Sequence, residues 1–262
     1  MIVSVDVLPR NEYSSPSVIS NIPVTVSLFI PTLNEKCSME QVMPRVDTSL
    51  FSQVLVSDGN SRDGTADYAR SLGYEVYVQK KKGIRFAYSE AWPLLTSDYV
   101  ITFSPDGNCP AEDLPKLIEK AKEGFDMVVA SRYLPPAKSE DDGLITGFGN
   151  WLFTRTVNVL HGGHYTDAMT IFRIYRTDLF HKLGLDRDAA YAVPETLYFT
   201  RMGIEPLLSV RAARAGCRVA EIPSDEPKRI AGDAKVQVLR WGAAYYTQFF
   251  LELGWKPPTN LR

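Results

Sequence analysis

The chain has 262 residues, of which 45% are hydrophobic and 23% are charged, and its formal net charge is −2. This composition is typical of a globular protein with a sizeable core and excludes a chain that is disordered throughout. The near-neutral charge gives no electrostatic reason to expect nucleic acid as a partner. Three scattered cysteines without metal-ligand spacing argue against a disulfide framework and favour a reducing compartment.

The two ends of the chain differ from its middle. Residues 1–22 are predicted to form an irregular arm without a signal-peptide core. Residues 23–235 are predicted to form one domain. Residues 236–262 predict an apolar helix and tail that pack on the domain, form a dimer interface or lie on a membrane surface. Because no apolar run of about 18 residues is present, we expect a cytoplasmic protein, with peripheral contact at the inner membrane face as the open alternative.

Strands and helices alternate in the first half of the chain. The predicted strands cover residues 24–30, 53–57, 74–78, 98–104 and 125–130, and the predicted helices cover 65–72, 84–95 and 110–122. Alternation with short turns is typical of a mostly parallel sheet that carries helices on both faces. The predicted fold class is therefore α/β, with a single Rossmann-like domain.

The second half of the chain is less regular. Residues 134–143 are polar and contain prolines, which predicts a mobile loop that orders over bound substrates and excludes water. Further helices are predicted at 146–160, 204–215 and 234–253, and further strands at 170–175 and 218–222.

Three polar clusters follow predicted strands, at residues 31–35, 58–64 and 104–109. In parallel sheets, ligands bind outside the carboxyl ends of the strands. A carboxylate at such a place can accept a hydrogen bond from a ribose hydroxyl or from a pyrimidine imide. We therefore expect the functional site at this edge of the sheet.

Asp106, Gly107 and Asn108 form a short acidic turn after the strand predicted at 98–104. Two oxygen-bearing side chains at this spacing can face one divalent cation, and the glycine lets the backbone come close. A nucleoside diphosphate carries negative charge that Mg²⁺ or Mn²⁺ offsets. The turn predicts a metal site with Asp106 and Asn108 as ligands, although Asp-Gly turns without any ligand are common.

Three motifs, in this order, resemble the family 2 glycosyltransferases of GT-A fold: Pro31-Thr-Leu-Asn-Glu35, Asp58-Gly-Asn-Ser-Arg-Asp-Gly-Thr65 and Asp106-Gly-Asn108. The resemblance covers residues 24 to 235. It implies an inverting transfer from a nucleoside-diphosphate sugar, assisted by Mg²⁺ or Mn²⁺. The nucleotide contacts that it implies are Pro31, Leu33, Glu35, Asp58 and Asn60, with Asp106 and Asn108 at the metal. Many members carry an aspartate where this chain has Asn108, which implies weaker metal binding.

The second half is more similar to the polyprenyl-phosphate branch of that family, the dolichol-phosphate mannose type, than to other branches. The matching residues are Ser131-Arg-Tyr133, Trp151, Arg155, Asp167, Phe172-Arg173, Glu205, Arg229 and Lys235. The resemblance implies that Arg132 and Arg155, with Trp151, hold the phosphate of the acceptor. It also implies that Arg229 and Lys235 close over the donor diphosphate. A planar guanidinium suits phosphate because it donates two hydrogen bonds at once.

The chain departs from that branch around the acceptor. Asp167-Ala-Met-Thr-Ile171 stands where a Ser-Gly pair is usual, and Val159 replaces an expected serine. The acceptor is therefore left open between a lipid phosphate and a saccharide or other hydroxyl compound. A hydroxyl acceptor needs a general base, for which Glu205 and Asp167 are the catalytic candidates beside Asp106.

The basic turn before the helix predicted at 84–95 has two interpretations. The basic turn Lys80-Lys81-Lys82 precedes Arg85, which is the best candidate there for a diphosphate contact, although a solvated surface is the simpler interpretation.

Two other functions remain open: a nucleotidyltransferase of similar fold and a non-catalytic nucleotide-sugar-binding protein. The first would normally carry a glycine-rich basic loop after its first strand, and this chain has none there.

Overall fold

The computed structural model describes residues 24–230 and 238–259. Within them the chain forms a seven-stranded sheet in the order β3-β2-β1-β4-β6-β5-β7. The strands are β1 Val26–Thr32, β2 Gln53–Asp58, β3 Glu75–Val78, β4 Tyr99–Thr102, β5 Met127–Ser131, β6 Arg173–Arg176 and β7 Val219–Pro223. β6 runs antiparallel to its neighbours β4 and β5, and the remaining pairs are parallel. The predicted mostly parallel α/β sheet is confirmed.

Helices cover both faces of this sheet. They are α1 Lys36–Val42, α2 Thr65–Ser71, α3 Ile84–Ala91, α4 Leu114–Lys122, α5 Leu144–His161, α6 Leu179–Lys182, α7 Ala189–Leu197, α8 Glu205–Arg214 and α9 Val238–Leu251. The predicted helices and strands agree with these elements to within a few residues at their ends. α1, α6 and α7 were not predicted from the sequence, and α7 has Pro194 inside it, a residue that normally ends a helix.

The central strand β1 explains why helices are needed on both faces. All seven of its residues are buried. Phe29 packs into the core on one face, whereas Leu28 and Ile30 pack into the core on the other. Side chains of a strand point alternately to its two sides, so a strand that is apolar on both sides must be covered on both.

α4 shows how the sequence specifies one of these covering helices. Its buried residues Leu114, Leu117, Ile118 and Ala121 recur at the spacing of one helix face. Pro115 stands in the first turn, where its missing N–H costs nothing, and two lysines stand in the last turn. The helix therefore packs its apolar face on the sheet and leaves its charges in water.

The last helix packs on the domain in its described part. Ala244, Tyr245 and Phe249 are buried in the core, and Gly242 lies against the ring of Phe153 on α5. Within the described residues, each helix is too short or too polar to cross a membrane. The predicted arm at residues 1–22 and Lys235 lie outside the part of the chain that the structure describes.

The loop at residues 134–143, predicted to be mobile, is already anchored in this structure. Ser139 forms a parallel bridge with Glu226, and the amides of Glu140 and Glu226 donate across it to the carbonyls of Glu226 and Lys138 at 2.8 and 2.9 Å. The loop therefore pairs with the segment that follows β7. This pairing anchors the backbone of the loop beside Asp141 and Asp142.

His161, the last residue of α5, gives the fold a testable dependence on pH. Its ring is buried beside Phe249, and burial, with the charge of Arg214, lowers its pKa from the ordinary value of 6.5. Below that value the unfolded chain takes up the proton more readily than the folded one. We expect the free energy of unfolding, measured in urea, to fall as the pH drops from about 7 towards 5.

In the variant His161→Phe this part of the pH dependence should disappear. His164, three residues on, is exposed, so His164→Asn is the matched control and should keep the wild-type slope. An unchanged slope in His161→Phe would contradict the assignment.

Candidate functional site

The carboxyl ends of β1, β2 and β3 open onto a cavity of about 610 Å³. In register, Thr32 at the end of β1 pairs with Asp58 at the end of β2, and Asp58 pairs with Val78 at the end of β3. The lining residues are Pro31, Thr32, Leu33, Asn34, Glu35, Gly59, Asn60, Arg62, Gln79, Lys80, Lys81, Lys82, Gly83, Ile84, Ala87, Arg201 and Trp241. The predicted meeting of the polar clusters at one edge is confirmed for the first two clusters.

Asp58 shapes one wall of this cavity. Its carboxylate is buried and accepts hydrogen bonds from the hydroxyl of Thr32 at 3.3 Å and from the amide of Ser61 at 2.9 Å. These bonds close the turn that places Gly59 and Asn60 in the cavity wall. Asp58 itself therefore lies at the margin, with part of its hydrogen-bonding capacity already used.

The loops after β1 and β2 brace each other. The amide of Asn34 donates to the hydroxyl of Ser61 at 2.8 Å, and the amide of Arg62 donates to the side chain of Asn34 at 2.9 Å. Asn34 adopts a positive φ of 56°, a conformation that asparagine tolerates better than most residues. The cavity wall is therefore preformed and does not depend on a ligand to order it.

The cavity is strongly basic. Its lining residues carry five cationic side chains, Arg62, Lys80, Lys81, Lys82 and Arg201, against the one carboxylate of Glu35. Arg201 also pairs with Glu195 behind the cavity, at 2.7 Å, so the excess of positive charge comes mainly from the other four. Such an excess of positive charge around a concave surface attracts an anionic ligand. The lysine run, for which a solvated surface was the simpler interpretation, thus lines the cavity. Arg201 and Trp241 come from distant parts of the chain, and no local sequence pattern indicated them.

Arg85 does not take the role expected from the sequence. Its guanidinium is 3% exposed and is paired with the buried carboxylate of Glu195 at 3.0 Å and with Asp188. Charge that is already balanced in this way stabilises the packing of α3 on α7. The expectation that Arg85 contacts a diphosphate does not fit this placement, because the guanidinium faces the carboxylates.

The turn Asp106-Gly107-Asn108 follows β4, the next strand of the sheet after β1. A carboxylate oxygen of Asp106 accepts from the amide of Asn108 at 3.1 Å, and the carbonyl of Asp106 accepts from the amide of Ile230 at 2.8 Å. The side-chain oxygen of Asn108 is buried and has no hydrogen-bond partner among the described residues. Buried polar atoms are rarely left unpaired, so this oxygen is suited to bind a ligand such as a metal ion.

The residues present fit a divalent metal that is shared with a ligand. No group of three or more histidine, cysteine, aspartate or glutamate side chains comes together as a metal site within residues 24–230 and 238–259. Asp106 and Asn108 supply two hard oxygens. Mg²⁺ and similar ions commonly take one or two protein oxygens and complete their shell with water and phosphate.

Arg229 approaches this turn from the other side. Its guanidinium contacts Asp141 of the loop at 2.6 and 3.1 Å, and Asp141 also accepts from the side-chain amide of Asn108 at 3.1 Å. Burial alone would raise the pKa of Asp141, but hydrogen bonds from Arg229 and Asn108 outweigh it and lower that pKa. The structure thus brings Arg229, Asn108 and Asp106 together, as the sequence led us to expect. Asp141 belongs to the loop predicted to order over bound substrates, but no pattern indicated it as a site residue.

Arg132 is held by two buried carboxylates. It contacts both oxygens of Asp167, at 2.6 and 3.0 Å, and one oxygen of Glu226 at 3.1 Å. Burial alone would raise the pKa of Asp167, but the charge and hydrogen bonds of Arg132 lower it. The guanidinium, expected to hold an acceptor phosphate, is therefore largely engaged within the protein.

Neither candidate base is placed to receive a proton from an acceptor. Asp167 is fully buried, and one of its oxygens also accepts from the amides of Met169 and Thr170. Glu205 is 8% exposed and accepts a hydrogen bond from the hydroxyl of Tyr88 in the core. The expectation of a general base at either residue does not fit this geometry.

Trp151 and Arg155 lie on the outer surface of α5. Trp151 is 54% exposed and stacks on Phe148, with 5.7 Å between the ring centroids. Arg155 lines a shallow groove of about 340 Å³ between α5 and α9, together with Val159, Tyr246 and Phe250. These two acceptor candidates are therefore accessible, whereas Arg132 is mostly buried.

Gly107 is the point at which the turn and the segment after β7 touch. It adopts a φ of +97°, and a Cβ added there would lie 2.8 Å from Cγ1 of Ile230. Gly73 has a similar φ of +80° but open space around it. We expect Gly73→Ala to cost about 1 kcal/mol of unfolding free energy, from backbone strain alone.

Gly107→Ala should cost about 1–3 kcal/mol more than Gly73→Ala, since Ile230 must move as well. Urea unfolding of both variants measures this difference. Equal costs would show that Ile230 does not seal the turn.

The fold is shared with a solved glycosyltransferase. Glucosyl-3-phosphoglycerate synthase from Mycobacterium tuberculosis, crystallised with Mn²⁺, uridine-diphosphate-glucose and phosphoglyceric acid, superposes with a TM-score of 0.62 at 17% identity. The match covers 90% of this chain and 82% of that protein. The expected GT-A fold is thereby confirmed.

The sequence is similar to a known family and to named relatives. Residues 27–184 match the family described as glycosyl transferase family 2. The undecaprenyl-phosphate mannosyltransferase of Micrococcus luteus is 30% identical over 239 residues, covering 84% of this chain and 94% of that protein. The dolichol-phosphate mannosyltransferase of Pyrococcus furiosus is 32% identical over 220 residues, covering 81% of this chain and 59% of that protein. The chain belongs to glycosyl transferase family 2, and it is a glycosyltransferase.

Proposed function

We propose that the protein transfers a sugar from a nucleoside-diphosphate sugar to a polyprenyl phosphate, with inversion and with the help of Mg²⁺ or Mn²⁺. The observation that carries this proposal is the arrangement along one sheet edge. A basic cavity at the ends of β1 to β3 is followed by a turn with an unpaired buried oxygen at Asn108 and by Arg229 opposite it. The arrangement matches the sequence of groups in a nucleotide-sugar.

The cavity accommodates the nucleoside of the donor. Pro31, Leu33, Glu35 and Asn60 line it, and Asp58 holds the turn behind Asn60. Polar groups fixed around an apolar cavity give specificity, because a base that cannot match them leaves them unpaired. The excess of cations that line the cavity supports an anionic donor rather than a free sugar.

The turn Asp106-Gly107-Asn108 and Arg229 would bind the diphosphate of the donor. Asp106 and Asn108 would hold the ion, and Arg229 would donate to the phosphates, with Lys235 as a further sequence-based candidate. When bound, the ion offsets the negative charge that develops on the leaving diphosphate. The protein's own part is to fix these oxygens and the guanidinium before the donor arrives, which lowers the cost of ordering them later.

The burial of both candidate bases supports a phosphate as the acceptor. A sugar hydroxyl must lose a proton to become a good nucleophile, whereas a phosphate monoester is already ionised at neutral pH. Asp167 and Glu205 are both buried and hydrogen-bonded within the protein. A phosphate acceptor therefore suits this site better than a hydroxyl, and the names of the relatives from Micrococcus luteus and Pyrococcus furiosus support a polyprenyl phosphate.

The outer face of α5 fits contact with the membrane that would carry such an acceptor. Leu144, Ile145, Phe148 and Trp151 are between 54% and 95% exposed, although all are large apolar side chains. A helix of this kind binds at the interface of a bilayer without crossing it. Arg155 on the same helix adds a cation that can meet a lipid phosphate. These residues support peripheral contact with a membrane surface, and the cytoplasmic face is the side expected from the sequence.

Sugar transfer from a panel of UDP- and GDP-sugars tests the proposal directly. The acceptors are undecaprenyl phosphate and dolichyl phosphate in vesicles, compared with soluble saccharides, each with and without Mn²⁺. We expect Mn²⁺-stimulated transfer to a lipid phosphate, and a loss of about 100-fold or more in Asp106→Ala because the ion loses its carboxylate.

Glu119→Ala removes a carboxylate from the exposed side of α4 and is the matched control that should keep wild-type activity. Transfer to soluble saccharides alone, or full activity of Asp106→Ala, would contradict the proposal.

A further inference from the structure

The carboxylate of Asp141 lies where the proposed function would put a phosphate of the donor, between Arg229 and Asn108. We infer that its carboxylate is an internal competitor of the donor diphosphate. It occupies the anion subsite formed by the guanidinium of Arg229 and the side-chain amide of Asn108, and the donor must displace it to bind. This inference rests on the proposed function and assigns a positioning role to a loop residue.

The contacts converge on one oxygen of Asp141. Both Nη2 and Nε of Arg229 donate to its Oδ2, at 2.6 and 3.1 Å, and Nδ2 of Asn108 donates to the same atom at 3.1 Å. Three donors on one carboxylate oxygen form a ready subsite for any oxyanion. A guanidinium fork suits a phosphate at least as well as a carboxylate.

The residues on both sides of Asp141 are anchored by contacts other than this ion pair. The loop backbone on its N-terminal side is held by the bridge between Ser139 and Glu226, and the amide of Lys138 donates to the carboxylate of Asp225 at 2.8 Å. The next residue, Asp142, is fixed by Tyr133 and Asn150. The anchored backbone on both sides of Asp141 therefore holds its carboxylate close to Arg229.

A donor diphosphate and the Asp141 carboxylate cannot share this subsite. Both are anions, and like charges at hydrogen-bonding distance repel strongly when they are partly buried. The side chains of Arg229 and Asp141 are 29% and 21% exposed, so water screens them only in part. Arg229 must therefore exchange Asp141 for the diphosphate, and this exchange removes one of the contacts between the loop and the metal turn.

The exchange gives Asp141 two effects on the enzyme. Without donor, it keeps Arg229 and Asn108 paired and in place. With donor, its displacement costs binding energy, so only an anion with enough charge to replace it binds well. Removal of the carboxylate should therefore tighten nucleotide binding, which is the opposite of what the loss of an ordinary site residue does.

Calorimetric titration of the full chain tests this sign. The probes are UDP, GDP, CDP, ADP and dTDP, each with Mn²⁺. For whichever nucleotide the wild type binds, we expect Asp141→Asn and Asp141→Ser to bind about three- to tenfold more tightly, since Arg229 is released from its competitor. Glu140→Gln is the matched control, because it removes the neighbouring charge from an exposed side chain of the same loop, and its affinity should equal that of the wild type.

A double-mutant cycle separates competition from a general change in charge. Arg229→Gln should weaken nucleotide binding, and Asp141→Asn added to it should give no gain, because the competitor then has no partner to occupy. Weaker or unchanged binding in both Asp141 variants would overturn the inference, and weaker Mn²⁺-dependent binding would mark Asp141 as a metal ligand. If the wild type and all variants bound none of the five nucleotides, the proposed function itself would fall.

Discussion

The register of β1 between β2 and β4 is the constraint on which the rest of the molecule depends. β1 is buried on both faces, so its alternation of side chains fixes which residues face each layer of helices. A shift by one residue would exchange the two faces, and the core would not form. The same register places Thr32 beside Asp58 and brings the turn after β4 to the next position along the edge. The packing of one strand therefore determines where the candidate site lies.

Charge is the second organising element, and the protein uses it in two different ways. Around the cavity cationic side chains outnumber carboxylates, and the excess of positive charge attracts anions. Deeper in the domain, Arg85 and Arg132 are matched by buried carboxylates and support structure. Removing one partner of such a buried pair costs far more than the pair contributes, so these residues are fixed by packing and not by substrate. The proposed phosphate acceptor rests on this distribution, because it leaves no accessible carboxylate at the two candidate base positions.

How much of this was predictable depended on the distance over which each residue finds its partners. Strand ends such as Pro31 and Asp58, and the turn at Asp106, follow from local periodicity and turn chemistry. The burial of Arg85 against Glu195, 110 positions away, does not, since no local pattern encodes such a pairing. Arg201, Trp241 and Asp141 reach the site through long-range packing for the same reason. Asp167 and Glu205 were reasonable candidates by residue type, but only the fold shows that both lie inside it.

The central claim is that Asp106 and Asn108 hold a divalent ion together with the donor diphosphate. Electron paramagnetic resonance of free Mn²⁺, titrated with the protein, measures this directly. Two protein oxygens should bind Mn²⁺ weakly alone and much more tightly once a nucleoside diphosphate is present, and Asp106→Ala should abolish the gain. Mn²⁺ binding that is indifferent to the nucleotide, or that survives in Asp106→Ala, would contradict the account.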